Sequence, residues 1–551
     1  MKTKSAEMVA ARKPRKRFWA FGALTGIVGA GAFLAAVELV ALFVAPRDGS
    51  PVIAAGSFVI DIVPRWAKEL AIELFGEADK IVLLGSVGLA VVVAAAVIGV
   101  IELVRPPIGA ILFGVAGALA VVAVVTRAGA SPLASVPSIV GTIVGIIALR
   151  LLIGRLRRWR DGVWANIERP ASVSVTAPGA PAAPSAQPTE GAPLKNVDRR
   201  GFLIMSGVVA AGAAIIGAGS RAITAATSSI ASIRDALTIP APRSTVTVPE
   251  GAELDIPGLT PLYTKNSDFY RVDTALTVPS IDPATWRLVI DGMVDTKVEL
   301  SFQDLLDMGL DEYSITLTCV SNEVGGGLVG TAKWLGVPLR DVLALAGPKN
   351  GADMALSRSI DGYTASTPLS VVTDDGVDAI LAVAMNGQPL PLEHGFPVRM
   401  VVPGLYGYVS ATKWLTQITV TTFQKDEAYW TPRGYSAEAP IKMSSRIDTP
   451  RVDKQIAAGP TKIAGVAWAQ TIGIEKVEVN IDEGGWQPAT LSMPVNEDTW
   501  VQWFVDWEAT AGTHYVAVRA TDKQGNLQIE ERAPIAPDGS SGWQRTLLRV
   551  G

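Results

Sequence analysis

"LTCVSNEVGGGLVGTAKWLGVPLRDVLALAG", residues 317–347, holds the only cysteine in a chain of 551 residues. Cys319 closes a short β-rich run, "SITLTC", and opens a glycine-rich loop. A thiol with no second cysteine makes no internal disulfide and is compatible with either side of a membrane. Taken alone it reads as a small buried hydrophobe, a common fate of free cysteine. The stretches on either side of it decide between that reading and a chemical one.

Going outward, the chain changes character twice. It is too long for one domain, 49% hydrophobic and only 18% charged. Nearly all the long apolar runs fall in residues 1–230. The net charge of −4 gives no sign of a nucleic-acid binder. Four runs reach the roughly 20 apolar residues that span a bilayer: Phe18–Val44, Ile81–Val104, Ile108–Val125 and Val136–Ile153. They are rich in Gly and Ala, as close helix packing in lipid favours, and none has a polar face.

Lys and Arg set the orientation. Arg12, Lys13, Arg15, Lys16 and Arg17 precede the first run, and Arg155, Arg157, Arg158 and Arg160 follow the fourth. Both ends of the four-span region are therefore expected in the cytoplasm. The second part of "FVIDIVPRWAKELAIELFGEADK" is amphipathic at helical spacing and suits the outer membrane surface. Residues 170–195, rich in Pro, Ala and Ser, form a linker that cannot build a core. In "DRRGFLIMSGVVAAGAAIIGAGS", Arg199 and Arg200 precede a moderately apolar stretch, as in a twin-arginine export signal, with Asp198 where Ser or Thr is preferred. An ordinary fifth span fits the same residues. Either reading puts everything after residue 225 outside the cytoplasm. The export reading also implies a domain that folds around a cofactor before it crosses.

The remainder reads as soluble. "TWRLVIDG", "SITLTC" and "FPVRMVVPG" are strands, while "SFQDLLDMG" and "PLRDVLALAG" have the apolar spacing of short helices. Beyond about residue 440 only strands are expected, among them "KIAGVAWA", "EKVEVNID", "TWVQWFVDW" and "HYVAVRATD". That pattern is a β-sandwich of immunoglobulin type without the disulfide.

The segment 317–347 resembles the cysteine segment of the sulfite oxidase family of molybdenum enzymes. "MNGQPLPLEHGFPVRMVVPGLYGYVSATKWL" (385–415) resembles that family's pterin-binding segment, and "YWTPRGY" (429–435) its active-site tyrosine segment. "LYTKNSDFYRVDTALTVPSIDPATWRLVIDG" (262–292) resembles its opening, and "KIAGVAWAQTIGIEKVEVNIDEGGWQPA" (462–489) its C-terminal sandwich. The matches are collinear from about 250 to 545 and leave the apolar half untouched. The resemblance implies a molybdenum–molybdopterin cofactor, with Cys319 as metal ligand. A thiolate is a soft donor suited to a redox metal. It implies that Asn266, His394, Arg399 and Lys413 bind the cofactor, where Arg forks onto phosphate and Lys adds a point charge. Tyr435 is implied to face the reacting group as a proton or hydrogen-bond donor, with Arg433 adding positive charge near the pocket mouth.

The expected architecture is multidomain. An all-α transmembrane region (1–160) is followed by a cytoplasmic linker (161–197). A twin-arginine-like signal and fifth transmembrane helix come next (198–225). Then come a mixed α/β molybdopterin domain of sulfite oxidase type (245–437) and an all-β immunoglobulin-like sandwich (438–551). The expected function is a membrane-anchored, externally facing oxidoreductase performing two-electron oxygen-atom transfer on a small substrate. The alternative is an exported, non-catalytic binding or scaffold protein on the same fold. A transporter is disfavoured, because only Glu38 and Glu102 stand out among the spans. Three departures argue against sulfite: positions where the family places arginines or a histidine hold Val324, Lys265 and Ser267. His394 and His514 are the only histidines, so the four spans offer no ligands for a bis-histidine haem. No haem is expected, and a separate electron-transfer partner or diffusible carrier is. The sandwich makes a homodimer a candidate assembly, by resemblance to relatives that pair through it.

Overall fold

The structure, a computed structural model, describes residues 13–44, 79–125, 132–167, 200, 203–204, 206–212, 228–275 and 278–551. It divides into two compact units, Met1–Ala226 and Thr227–Gly551.

The first unit is helical. Helices Lys13–Val44, Asp79–Val104, Ile108–Val125 and Ser135–Ile167 contain the four apolar runs, and all four are long and apolar enough to cross a membrane. Small residues set their crossings. A side chain on Gly26 would run into the backbone of Ala95, and one on Gly99 into that of Gly22. Leu89, Ile111, Leu119 and Leu151 point outward and are exposed, which is the arrangement a lipid solvent selects. The carboxylate of Glu102 is buried and accepts the Ala110 amide at 2.8 Å. The fourth helix continues through residues 161–167. The amphipathic stretch before residue 79, the Pro/Ala-rich segment 170–195 and Arg199 lie outside the described residues. Of residues 198–225, only 200, 203–204 and 206–212 are described, and they are helical.

The second unit is built on four sheets. Its first ten strands are β1 (Arg287–Gly292), β2 (Val298–Ser301), β3 (Asp311–Thr318), β4 (Val329–Pro338), β5 (Met354–Ser359), β6 (Thr364–Pro368), β7 (Ile380–Met385), β8 (Gln388–Pro389), β9 (Arg399–Val401) and β10 (Leu415–Thr421). One sheet runs β2-β1-β10-β5-β6. The other runs β3-β4-β7-β8, with β9 also on β7. Only the β1/β10 pair is parallel in these two sheets. Strand β7, "ILAVAM", is buried along its whole length. Leu381 and Val383 face one core while Ile380, Ala382 and Met385 face another, so the strand reads as an unbroken apolar run. The expected helix in "SFQDLLDMG" is Phe302–Asp307, started by a reciprocal capping box between Ser301 and Asp304.

Residues 444–550 carry nine more strands, β11 (Ser444–Thr449), β12 (Gln455–Ile456), β13 (Gly459–Trp468), β14 (Ile474–Ile481), β15 (Trp486–Pro488), β16 (Thr490–Leu491), β17 (Val501–Ala509), β18 (Gly512–Asp522) and β19 (Gln544–Val550). They form two sheets, β11-β13-β17-β16 and β12-β19-β18-β14-β15. Ile463, Trp503 and Val505 from the first share one core with Val477, Val518 and Leu548 from the second. The two sheets therefore pack face to face. No helix occurs there, as the strand-only pattern implies.

Candidate active site

Cys319 stands immediately after β3, and its amide donates to the Leu328 carbonyl at 2.9 Å across the loop that follows. The residue is 8% exposed. Burial pushes its thiol pKa up, while the Ser321 amide, 3.4 Å from Sγ, and the charge of Lys413 pull it down. A cavity of about 140 Å³ opens beside it, lined among others by His394, Arg399, Lys413 and Tyr435. Five of the six residues expected at the site thus share one cavity, although they come from separate parts of the chain. The sixth, Asn266, lies behind the lining. Its carbonyl is 3.2 Å from His394 Nε2, and its side-chain oxygen accepts from Asn386 Nδ2 at 2.8 Å.

The segment 392–413 sets the cation end. His394 ends a single 3₁₀ turn, and Gly395 follows at φ +110. A side chain at Gly395 would press on both Arg399 and Lys413, so glycine lets the two cations approach. His394 is held down to about 4, first by burial and then by the charges of Arg399 and Lys413. The ring is therefore neutral near pH 7. Because Nε2 faces a carbonyl, it carries the proton, and Nδ1 is left as an acceptor.

Arg399 begins β9 and is 5% exposed. It donates to the His394 carbonyl at 3.2 Å and to its neighbour's carbonyl at 3.4 Å, and it lies 5.0 Å from the Trp334 ring. Among the described residues it has no carboxylate partner, and burial lowers it to about 10. Lys413 is lowered to about 8, mainly by burial, although it pairs with Asp273 at 2.8 Å. Arg271 binds the same carboxylate oxygen at 2.8 Å.

Aromatic rings form the opposite wall. Tyr435 lies 5.6 Å from Tyr408 and 5.2 Å from Trp430, centroid to centroid. The Tyr363 hydroxyl donates to the Tyr408 carbonyl, and the Tyr408 hydroxyl to the Ser436 carbonyl, each at 2.7 Å. This relay fixes the chain next to Tyr435. Arg433 is turned elsewhere, stacked 3.8 Å over Tyr429 and donating to its carbonyl, and it does not line the cavity.

Val324, Lys265 and Ser267 also lie outside the lining. The charges that do line it are Arg399, Lys413, Asp273 and Asp361. Sequence reasoning missed both carboxylates as well as Tyr363, Tyr408 and Trp430. Asp273 sits inside the quoted opening segment, but nothing in the pattern "YRVD" distinguishes it from a solvated loop acid.

Residues 275–430 match the family model described as the oxidoreductase molybdopterin binding domain. Human mitochondrial sulfite oxidase is 32% identical over 329 residues, covering 50% of this chain and 59% of that protein. Barley nitrate reductase [NAD(P)H] is 29% identical over 320 residues, covering 46% of this chain and 35% of that protein. The chain thus spans less than two thirds of these relatives. Among solved structures, the sulfane dehydrogenase SoxCD of Paracoccus pantotrophus aligns with a TM-score of 0.47 at 23% identity, covering 55% of this chain and 86% of that one. The family-model match and the sequence relatives support a molybdenum-dependent oxidoreductase domain of the kind found in sulfite oxidases.

Proposed function

We propose that this chain is a membrane-anchored oxidoreductase that uses a molybdenum–molybdopterin cofactor for two-electron oxygen-atom transfer on a small substrate other than sulfite. One observation carries the reading. The only cysteine, a buried guanidinium with no carboxylate partner among the described residues, a buried lysine, a neutral histidine and a tyrosine, drawn from three separate stretches of the chain, line a single cavity. That donor set fits the cofactor. An uncompensated buried cation is costly, and an anionic phosphate on Arg399 and Lys413 offsets the cost. The thiol of Cys319 is a soft ligand for the metal.

The bound cofactor supplies the two-electron redox chemistry. The chain's own residues do the rest. Arg399 and Lys413 would bind the anionic part, and Nδ1 of His394 would accept a hydrogen bond from an N–H or O–H donor elsewhere on the cofactor. Cys319 is the protein's ligand to the metal. Asn266 orients His394 through its carbonyl and acts at one remove from the cofactor. Tyr435 holds a proton at Oη toward the substrate, steadied by Tyr408 and Trp430. Asp273 pairs with Lys413 at 2.8 Å and the cofactor's anion would take up Arg399, which leaves a dianion such as sulfite no free cation in the lining.

In this reading the four apolar helices anchor the protein with its N-terminus in the cytoplasm. A fifth, twin-arginine-like segment carries the sheet-rich unit to the outer face. The first 393 residues contain no histidine, so electrons pass through a separate partner or carrier rather than a bis-histidine haem. The domain limits remain those drawn from the sequence, with residues 438–551 an immunoglobulin-like sandwich through which two copies pair.

Metal analysis tests the core of the proposal. Wild type is expected to carry about one molybdenum per chain, and Cys319→Ser to fold, insert and show near-background activity. With artificial electron carriers, a sulfoxide is expected to turn over better than sulfite. A wild type without molybdenum leaves only a scaffold, and efficient sulfite oxidation would overturn the substrate assignment. Protease added to intact cells is expected to cut the sheet-rich unit; full protection would reverse the orientation.

A further inference from the structure

The loop that follows Cys319 is held less by its own sheet than by the C-terminal sandwich. Within the loop, the Asn322 amide donates to the Cys319 carbonyl at 3.0 Å, and the Asn322 side chain accepts the Leu328 amide at 2.8 Å. Those bonds shape the loop but attach it to nothing outside itself. The outside attachments come from residues more than a hundred positions away. Ser540 Oγ donates to the Asn322 carbonyl at 2.7 Å. Arg446, on β11, donates to the Gly326 carbonyl at 3.0 Å. Gln544, at the start of β19 and fixed by the Ile447 amide at 2.6 Å, lies against Gly325 so closely that any side chain there would strike it.

The same stretch of sandwich reaches the other wall of the cavity. The Pro537 carbonyl accepts the Ser436 amide at 3.0 Å, one residue past Tyr435. Lys442 Nζ donates to Asp538 at 2.9 Å and to the Gly539 carbonyl at 2.7 Å. Gly539, at φ +95, is packed on the Tyr406 ring where no side chain fits. One short segment, Pro537–Ser541, therefore bonds to the cysteine loop at one end and to the tyrosine segment at the other.

We infer that Pro537–Ser541 is a clamp that fixes the spacing between the Cys319 loop and the Tyr435 segment, with Ser540 as its positioning residue on the thiol side. The site is then completed by the sandwich, and the sandwich has a role in catalysis that needs no contact with substrate. The catalytic consequence rests on the reading of Cys319 as metal ligand; the mechanical one does not. Loosening the Ser540 bond frees the carbonyl of Asn322, the residue whose amide holds the Cys319 carbonyl, and lets the loop open.

Because the chain has a single cysteine, alkylation reports on this loop alone. The full-length protein in detergent, produced without molybdate, is treated with iodoacetamide as wild type, Ser540→Ala, Ser540→Thr and Ser541→Ala. Ser541 is the control, since its hydroxyl bonds within the sandwich, to the Glu531 carbonyl at 2.9 Å. Ser540→Ala is expected to speed alkylation by about two- to tenfold, what one lost hydrogen bond does to a local opening equilibrium. Ser540→Thr keeps the hydroxyl and should stay near wild type, as should Ser541→Ala. In protein made with molybdate, Ser540→Ala is further expected to shift the thiolate-to-metal absorption band and to lower kcat with KM unchanged. A wild-type alkylation rate in Ser540→Ala, or equal acceleration in Ser541→Ala, overturns the clamp. If no variant binds molybdenum while the alkylation pattern holds, the clamp stands and the functional reading fails.

Discussion

The cavity and the seam between the first ten strands and the sandwich are both rich in buried polar groups, but they use them in opposite ways. In the seam the groups satisfy each other. Arg446 pairs with Asp448 at 2.6 Å and spends its other donors on Thr260 and Gly326. Gln502, fully buried, accepts the Leu254 amide and donates to the Thr260 carbonyl. The Trp500 indole donates to the Leu262 carbonyl at 3.0 Å. In the cavity, Arg399 finds only carbonyls and an aromatic ring. Buried polar groups that close on one another are structure. A buried cation that does not is held by the rest of the fold for something that binds there.

Substituting the two buried arginines sets the comparison at its sharpest. Arg446→Met leaves the Asp448 carboxylate buried without its cation, so it should lower stability by about 3–5 kcal/mol. Denaturant unfolding followed by tryptophan fluorescence measures this. Arg399→Met removes a cation that has no counter-ion, and the cofactor-free chain should lose no more than about 1 kcal/mol or gain. Its molybdenum content should fall several-fold in compensation, since charge-assisted bonds to the cofactor, worth about 1.5–3 kcal/mol, are gone. If Arg399→Met destabilises the cofactor-free chain as much as Arg446→Met, the cavity cation is structural and the contrast collapses.

The sequence made different parts of this legible for different reasons. The four apolar helices were readable because lipid demands length and hydropathy, and both are local properties. Strands such as β3 and β17 were readable from their apolar runs. The cavity was not readable by pattern. Cys319, His394, Arg399, Lys413 and Tyr435 were picked out only because five segments resembled one family in order. The spacing between them carries no periodicity that predicts convergence. Asn266 was placed on the cofactor by that resemblance, whereas its hydrogen bonds run to His394, Met385 and Asn386. Asp273 and Asp361 were missed because an acidic residue in a loop reads as solvated until the fold buries it. Ser540 and Arg446 were invisible for a stronger reason, since their partners on the cysteine loop are backbone carbonyls, which any residue supplies.

The seam does not keep its own rule everywhere: Gln470 Oε1 is buried without a hydrogen-bond partner, and Asp498 is the titratable exception. Asp498 donates and accepts through its backbone: its carbonyl accepts the Thr316 amide at 2.9 Å and Gln470 Nε2 at 2.8 Å. Its carboxyl has no hydrogen-bond or ion-pair partner among the described residues. Burial first, then the nearby charges of Asp378 and Glu497, push it from the usual 3.8 up to about 7. The sign follows from proton counting. Between about pH 4 and pH 7 the folded chain holds a proton on Asp498 that the unfolded chain has released, so folding binds protons and stability falls as pH rises through that window. Below it both states are protonated and there is no cost; above it the cost is complete. Asp498→Asn carries no charge at any pH. It should therefore match wild type at pH 4 and exceed it at pH 8 by about 1–3 kcal/mol, less than the full pKa shift implies because the carboxyl edge still reaches water. Denaturant midpoints of both proteins at the two pH values measure this. Equal stability at pH 8 would mean that Asp498 ionises at little cost, and the seam would then contain no exception to its rule of mutual satisfaction at that position.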